Sequence, residues 1–224
     1  MVKLKVTVII PTRNEEGCIG RVLEEMPRDV VDEVIVVDGH STDKTVDEAK
    51  SQLKPGDKCI IQRGYGYGAA FLEGFKLARG DVIVMMDGDG SHNPKDIEKI
   101  ISKFQKGYDY VMASRYAPGG KSKDDTLIRF LGNKIFTWMT NVVHGTKVSD
   151  SLFLYTAISK KALKNLELES SGFEFCTEIL VKAHKAGLKF AEVPVMERDR
   201  FAGKSKVNSF WHGLKVLRMI LKKY

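Results

Sequence analysis

Cysteine is scarce in this chain of 224 residues, and nothing in the sequence replaces it as a covalent or metal-based support. Cys18, Cys59 and Cys176 are widely spaced, form no CxxC pair and have no histidine cluster beside them. An odd, scattered set of cysteines argues against a disulfide framework and against a structural zinc site. The same scarcity favours a reducing compartment, so we predict a cytoplasmic protein.

Long apolar runs are also missing. No run reaches the roughly 18 residues that a membrane-spanning helix requires. Met1-Val2-Lys3 leads directly into a strand pattern, so we expect no signal peptide. Any contact with a membrane is therefore predicted to be peripheral, at its cytoplasmic face.

Acidic residues are outnumbered, most strongly near the carboxyl end. The formal net charge is +7, and the segment 198–224 holds eight Lys or Arg and one acid. Such a basic segment favours phosphates, anionic lipid or nucleic acid as partners. The basic residues lack the regularly interleaved aromatic side chains of a base-stacking surface, so we expect no nucleic-acid partner.

Apolar strand patterns alternate with helical patterns through the first half. We predict strands at residues 6–10, 33–37, 58–62, 82–86 and 110–113. Apolar strands separated by helices predict an α/β fold with a mostly parallel central sheet flanked by helices. Ligands of such sheets bind beyond the carboxyl ends of the strands, which selects the loops after Ile10, Val37 and Met86. No repeat or linker appears, so we predict a single domain over residues 1–224.

The second half is less regular. Residues 117–125 predict a loop, residues 127–143 and 173–186 predict helices, residues 189–196 predict a strand, and residues 207–223 predict a further helix. The helices at 127–143 and 207–223 combine apolar faces with basic ends, which suits helices that lie on a membrane surface. Packing of both helices on the domain is the alternative.

The sequence places two acids directly after the buried strand at 82–86, in Asp87-Gly88-Asp89. Gly88 and Gly90 permit a turn that brings the two carboxylates together. Converging carboxylates attract a hard cation such as Mg²⁺ or Mn²⁺, which commonly bridges to substrate phosphates. We therefore predict that Asp87 and Asp89 are metal ligands. A turn with two solvated acids is the alternative.

Other candidate residues follow neighbouring strands. Asp38 ends the second strand and suits a hydrogen bond to a ribose or base, although a helix cap is an equally simple explanation. The sequence from Gly64 to Ala69 matches the pattern GxGxxA weakly, and a loop beside a nucleotide pocket or a tight turn is favoured over a dinucleotide site. Arg115 and Arg129 suit a bidentate clamp on phosphate or, alternatively, surface ion pairs.

These segments, taken in order, resemble glycosyltransferase family 2 with the GT-A fold, and within it the dolichyl- or polyprenyl-phosphate sugar synthases. The resemblance covers nearly the whole chain. It rests on the ordered motifs VIIPTRNEE, VVDGHSTDKT, RGYGYGAAFLEGFKLARGDVIVMMDGDGSHNP, SRYAPGG, GFEF, EVPV and RFAGKSK. The chain departs from the family pattern at Gly39-His40, where a second acid is frequent, and at Gly90, where an apolar residue is usual.

The resemblance implies a role for each matching residue. On the donor side, residues of the first 115 positions would bind the nucleotide and its diphosphate, with Mg²⁺ or Mn²⁺ held by Asp87 and Asp89. These donor-side residues are Pro11, Asn14, Glu15, Asp38, Gly68, Asp87 and Asp89. In residues 116–224, together with Arg115, basic side chains would face the acceptor phosphate or close over both phosphates. These are Arg115, Arg129, Arg200, Lys204 and Lys206.

The implied reaction is an inverting, metal-dependent transfer of a hexose. The donor would be a GDP- or UDP-hexose and the acceptor a dolichyl or polyprenyl phosphate. Asp89, Arg115, Arg129 and Arg200 would act in catalysis, and Asp150, Glu174 and Glu178 are possible orienting acids that the sequence does not rank. Two alternatives remain open: a transferase of the same fold with a soluble or polysaccharide acceptor, and a catalytically silent nucleotide-sugar-binding regulator.

Overall fold

A computed structural model describes residues 3–203 and 209–222, without the side chains of Ser209 and Phe210. Its main strands and helices alternate through the first half, as predicted. The strands are β1 (Val6–Thr12), β2 (Glu33–Asp38), β3 (Lys58–Ile61), β4 (Val82–Met85) and β5 (Tyr110–Ser114). The helices between them are α1 (Ile19–Glu24), α2 (Thr45–Gln52), α3 (Tyr67–Leu77) and α4 (Ile97–Phe104), the last preceded by a 3₁₀ turn at Pro94–Asp96.

The second half adds shorter strands and longer helices. The strands are β6 (Lys121–Ser122), β7 (Thr156–Ser159), β8 (Phe190–Pro194) and β9 (Met196–Glu197). The helices are α5 (Leu127–His144), α6 (Lys160–Leu163), α7 (Phe175–Lys185) and α8 (Ser209–Leu221). The segment 117–125, predicted to be a loop, contains β6, which pairs in parallel with β9.

Seven strands form one central sheet in the order β3-β2-β1-β4-β7-β5-β8. All neighbours are parallel except β7, which runs antiparallel to both β4 and β5. The predicted mostly parallel sheet is therefore confirmed, but β7 was not predicted. Its four residues, Thr-Ala-Ile-Ser, include only two apolar side chains, and their pairing with two distant strands makes them a strand.

The core lies on both faces of this sheet, because successive side chains of a strand point to opposite sides. Val8 and Ile10 of β1 pack with the apolar sides of α1 and α4. Ile9 of the same strand packs with α3 and α7 on the other face. Coverage on both faces explains why the central strands read as continuous apolar runs.

Helices α5 and α8 pack against each other and leave much apolar surface exposed. The Thr126 hydroxyl accepts a hydrogen bond from the Arg129 N–H at the start of α5, and Gly145 ends it with a φ of 73°. No helix within the described residues is both long and apolar enough to cross a bilayer. The exposed apolar side chains of α5 lie in a stripe that includes Ile128, Leu131, Ile135, Trp138 and Val142.

Candidate active site

A cleft of about 390 Å³ opens at the carboxyl ends of β1, β2 and β4, where a mostly parallel sheet binds its ligands. Loops from the first half form most of its wall, and residues of the second half close one side. The first-half lining includes Pro11, Thr12, Arg13, Glu15, Gly39, Gln62, Tyr67, Asp87, Gly88, Asp89 and Ser91. The second-half lining includes Asp124, Phe173, Glu197, Arg200 and His212.

Asp87 and Asp89 both face this cleft, on the turn that follows β4. A Cβ on Gly88 would lie 2.9 Å from the Thr12 Cγ2 atom, so the turn fits against β1 only with glycine between the acids. The Ser91 N–H donates to Asp89 Oδ1 at 2.8 Å, and the Arg200 guanidinium donates to Asp89 Oδ2. The solvated-turn alternative does not describe these contacts, since Asp89 is buried.

The pKa values of Asp87 and Asp89 are shifted in opposite directions. Burial and the neighbouring Asp89 charge raise the pKa of Asp87 to about 7. Burial also opposes ionisation of Asp89, but Arg200, His92 and the hydrogen bonds from Ser91 together outweigh it and lower the pKa of Asp89. A cation beside Asp87 would relieve the remaining repulsion, so the two residues fit a divalent metal ion. The described residues contain no group of three or more His, Cys, Asp or Glu that could hold a metal, so a bound ion would take its other ligands from substrate oxygens and water.

His92 fixes the backbone of the acidic turn. Its Nδ1 atom accepts a hydrogen bond from the Asp87 N–H at 3.1 Å. The ring is buried, lies 4.7 Å from the Tyr155 ring in a stacked arrangement, and meets Phe153 edge-on. Burial lowers the pKa of His92 to about 4, so the ring is neutral near pH 7 and Nδ1 keeps its lone pair.

The predicted nucleotide-pocket residues divide into two groups. Pro11 and Glu15 line the cleft as the resemblance implies. Asn14 does not: it has a φ of 52°, and its Oδ1 atom accepts from the Thr42 N–H at 2.8 Å, which joins two loops. Asp38 is buried behind Gly39, where it accepts hydrogen bonds from the Ser41 N–H at 2.8 Å and from the Ser41 hydroxyl. These bonds close a turn over residues 38–41 and cap no helix, because α2 begins at Thr45, and the predicted contact of Asp38 with a ribose or base stays a prediction.

The glycines of the GYGYG segment serve the packing of α3. A Cβ on Gly68 would lie 2.3 Å from the Ser170 carbonyl oxygen, and one on Gly66 would lie 2.3 Å from that of Ser171. Gly66 also has a φ of 114°, which favours glycine. Gly68 itself does not line the cleft, but it lets α3 begin close enough to present Tyr67 there.

Arg115 is buried beside the cleft rather than open to it. Its Nε and Nη2 atoms donate to the two Asp150 carboxylate oxygens at 2.8 and 3.0 Å, and Nη1 donates to Glu197 at 3.4 Å. Asp150 is fully buried, and this bidentate pair holds the pKa of Arg115 well above its usual value despite burial. The predicted contact of Arg115 with an acceptor phosphate stays a prediction, since these carboxylates occupy its donors.

The remaining predicted residues lie in different surroundings. Arg129, on α5, is 3.2 Å from the carboxylate of Asp124, which lines the cleft. Lys204 and Lys206 lie outside the described residues. Of the possible orienting acids, Asp150 is bound to Arg115 and is not among the residues that line the cleft. Glu178 pairs with Lys182 at 2.8 Å and accepts backbone N–H groups, so its contacts are those of a structural residue.

Several cleft residues escaped the sequence reasoning. Tyr67 donates its hydroxyl to Asp87 Oδ1 at 2.6 Å, and Glu197 lines the cleft while it contacts Arg115. Burial raises the pKa of Glu197, against the opposing effect of Arg115. The position of Glu197 three residues before Arg200 was an available signal. Nothing in the sequence separates Tyr67 from Tyr65, because the contact with Asp87 spans 20 residues.

The chain belongs to glycosyltransferase family 2. The family model described as Glycosyl transferase family 2 matches residues 7–167, which include both Asp87 and Asp89. The protein is therefore a glycosyltransferase, and the resemblance drawn from the ordered motifs is confirmed. Family membership also disfavours the catalytically silent regulator as an explanation of the cleft.

Two relatives place the chain more closely. It is 32% identical over 228 residues to an uncharacterized protein of Methanocaldococcus jannaschii, with 99% of this chain and 93% of that protein covered. It is also 32% identical over 211 residues to the dolichol-phosphate mannosyltransferase of Pyrococcus furiosus. That alignment covers 91% of this chain but 59% of the relative, so the chain spans well under two thirds of that protein.

Among solved structures, glucosyl-3-phosphoglycerate synthase of Mycobacterium tuberculosis superposes with a TM-score of 0.79 at 21% identity. The superposition covers 97% of this chain and 79% of that one. The predicted GT-A fold is thereby confirmed. The same neighbour has been solved with Mg²⁺ and UDP, and with Mn²⁺, UDP and glucosyl-3-phosphoglycerate.

Proposed function

We propose that the chain is a metal-dependent, inverting transferase that moves a hexose from a nucleotide-diphosphate sugar to dolichyl or polyprenyl phosphate. The observation that carries the proposal is the meeting of Asp87, Asp89 and Arg200 in one cleft at the carboxyl ends of the strands. Paired carboxylates suit a divalent cation, and a guanidinium suits the phosphates beside it. The lipid-phosphate acceptor is proposed from the Pyrococcus furiosus relative.

The donor half of the cleft would bind a GDP- or UDP-hexose. Pro11, Glu15 and Gly39 would contact the nucleoside, with Asp38 supporting Gly39 from behind. Asp87 and Asp89 would hold Mg²⁺ or Mn²⁺, which when bound neutralises charge on the diphosphate leaving group. Arg200 lies beside Asp89, where its guanidinium would stabilise the same charge.

The acceptor would approach from the side formed by the second half. Its phosphate is already an anion, so a direct displacement with inversion at the anomeric carbon needs little help from a general base. Arg129 lies on α5 near this side, and we retain Lys204 and Lys206 as predicted phosphate contacts. Arg115 would act here by holding Asp150 and Glu197 in place.

We further propose that α5 and α8 rest on the cytoplasmic membrane surface. Large apolar side chains on both helices are exposed, including Trp138 and Trp211 at 65% and 64%. Lys134 and Lys215 are exposed beside them, and the chain carries a net charge of +7. An apolar face with basic neighbours suits an anionic lipid surface, where a lipid-linked acceptor would be found.

A second candidate is a transferase of the same fold that acts on a soluble phosphorylated acceptor. The fold likeness to glucosyl-3-phosphoglycerate synthase favours it. The exposed apolar stripe of α5 favours the lipid acceptor instead, because a soluble acceptor does not account for the exposure of these side chains.

Transfer of radiolabelled sugar into organic-extractable lipid tests the proposal. Purified protein is incubated with a short polyprenyl phosphate, Mg²⁺ or Mn²⁺, and UDP- and GDP-hexoses in separate reactions. We expect a labelled lipid that requires the metal and disappears in Asp89→Ala. A parallel reaction contains 3-phosphoglycerate as the acceptor. A labelled water-soluble product in that reaction, with no labelled lipid in the others, would instead establish the second candidate.

A further inference from the structure

We infer that Tyr67 is a positioning residue that fixes the Asp87 carboxylate for metal binding. The inference rests on the proposed metal-dependent function. Tyr67 is the first residue of α3, and it lines the cleft together with Asp87. Its hydroxyl donates to Asp87 Oδ1 at 2.6 Å, which is a short hydrogen bond to a carboxylate.

The Tyr67 ring is held so that its hydroxyl keeps this direction. Phe71 meets the ring edge-on at 5.1 Å, and Phe173 lies against it at 5.8 Å. The close approach of Gly66 to Ser171 sets the start of α3 and therefore the position of the ring. The contacts with Phe71 and Phe173 therefore set the direction of the Tyr67 hydroxyl, and neither residue belongs to the acidic turn.

The hydrogen bond selects one oxygen of Asp87. Oδ1 is occupied by the phenol, whereas Oδ2 lies 3.7 Å from His92 Nε2, beyond hydrogen-bond distance. The Asp87 backbone is fixed separately, by the bond from its N–H to His92 Nδ1. With both the backbone and Oδ1 held, Oδ2 is the Asp87 oxygen that would contact a cation.

The neighbouring acid is held in a different way, which makes Tyr67 specific to Asp87. Asp89 receives the Ser91 N–H on Oδ1 and Arg200 on Oδ2. Arg200 already neutralises Asp89, but Tyr67 donates a hydrogen bond without adding a positive charge. Asp87, when ionised, therefore keeps its net negative charge for a cation while its orientation is fixed.

Binding of Mn²⁺ tests the inference without requiring turnover. Free Mn²⁺ is measured by electron paramagnetic resonance during titration of the protein in the presence of UDP or GDP. Tyr67→Phe keeps the ring and removes only the hydroxyl. We expect it to weaken Mn²⁺ binding by roughly tenfold, the range for a lost hydrogen bond to a charged group. Nucleotide affinity without metal and the melting temperature should stay close to the wild-type values.

Two control variants define the outcome. Tyr108→Phe removes a hydroxyl just before the amino end of β5, at the sheet edge opposite the cleft, and should leave Mn²⁺ binding unchanged. Asp87→Asn should abolish the binding.

Equal Mn²⁺ affinity in Tyr67→Phe and wild type would overturn the inference alone. Equal losses of metal-dependent and metal-free nucleotide binding would overturn it as well, because they would assign Tyr67 to pocket structure. Absence of Mn²⁺ binding in the wild type would overturn the metal assignment and the inference together.

Discussion

At the scale of single residues, the second half of the cleft is organised around one buried charge. Arg115 contacts Asp150 and Glu197 and lies 3.9 Å from Asp125, so one guanidinium faces three carboxylates. Glu197 also accepts a hydrogen bond from the Ser122 hydroxyl. A buried ion pair gives little net stability by itself, but removal of one partner leaves the other charge buried and unpaired.

Arg115→Ala is therefore expected to destabilise the fold. Asp150 and Glu197 would lose their cation, which costs roughly 3–5 kcal/mol for a buried pair. Urea unfolding measures this cost. The matched control is Arg129→Ala, whose partly exposed pair with Asp124 should contribute less than about 1 kcal/mol. A stable Arg115→Ala protein with weakened use of the acceptor would instead support the direct phosphate contact that the sequence predicts.

At the scale of elements, Glu33 joins four parts of the sheet layer. It begins β2 and accepts hydrogen bonds from Thr7 of β1 at 2.7 Å, from Lys58 of β3 at 2.7 Å, and from Arg79, which follows α3, at 2.8 Å. Burial raises the pKa of Glu33, but these hydrogen bonds outweigh it and hold the pKa below its usual value of 4.5. The junction between strands and helix thus depends on an ionised carboxylate.

Glu33→Gln should make stability less dependent on acid pH. A carboxylate with a lowered pKa in the folded state stabilises the fold above its unfolded pKa, and loses that effect as pH falls through the folded pKa. We expect wild type to exceed the variant by about 1–3 kcal/mol at pH 7, with the difference shrinking below about pH 4.5. Urea unfolding at several pH values checks this, with the exposed Glu98→Gln as control. A difference that stays constant down to pH 3 would contradict it.

Sequence patterns predict the elements whose cause is local. The strands β1, β2, β4 and β5 are apolar runs of four to seven residues, and the carboxyl end of β4 delivers the acidic pair as expected. Strand β7 was missed because its identity depends on partners more than 40 residues away. The same reason applies to the site: Asp87 and Asp89 follow from their strand, but the bonds to Tyr67 and Arg200 form only in the folded chain.

At the scale of the whole molecule, one surface differs from the rest. Both tryptophans of the chain, Trp138 on α5 and Trp211 on α8, are exposed on the two helices that pack together. Leu131 and Ile135 continue the same stripe on α5. Contiguous apolar exposure of this kind is typical of a binding surface and supports the membrane contact proposed above.

Tryptophan emission therefore reports directly on the proposed membrane contact. We expect a shift to shorter wavelength when vesicles of phosphatidylcholine with anionic phosphatidylserine are added, and sedimentation of the protein with them. Ile135→Asp, in the centre of the stripe, should reduce both effects several-fold because a charge would enter the lipid boundary. Leu77→Glu, at the far end of α3, serves as control. Failure of the wild-type protein to sediment with these vesicles would contradict the membrane proposal.

The placement of β7 also has a consequence for how the chain folds during its synthesis. Both sheet neighbours of β5, β7 and β8, are made after it, and β7 is also the neighbour that β4 requires. A growing chain that ends near residue 115 therefore leaves one edge of β4 and both edges of β5 without their native partners, and such edges favour association with other chains. We expect residues 1–115 expressed alone to aggregate, and this half of the chain to become stable only once β7 and β8 have been made.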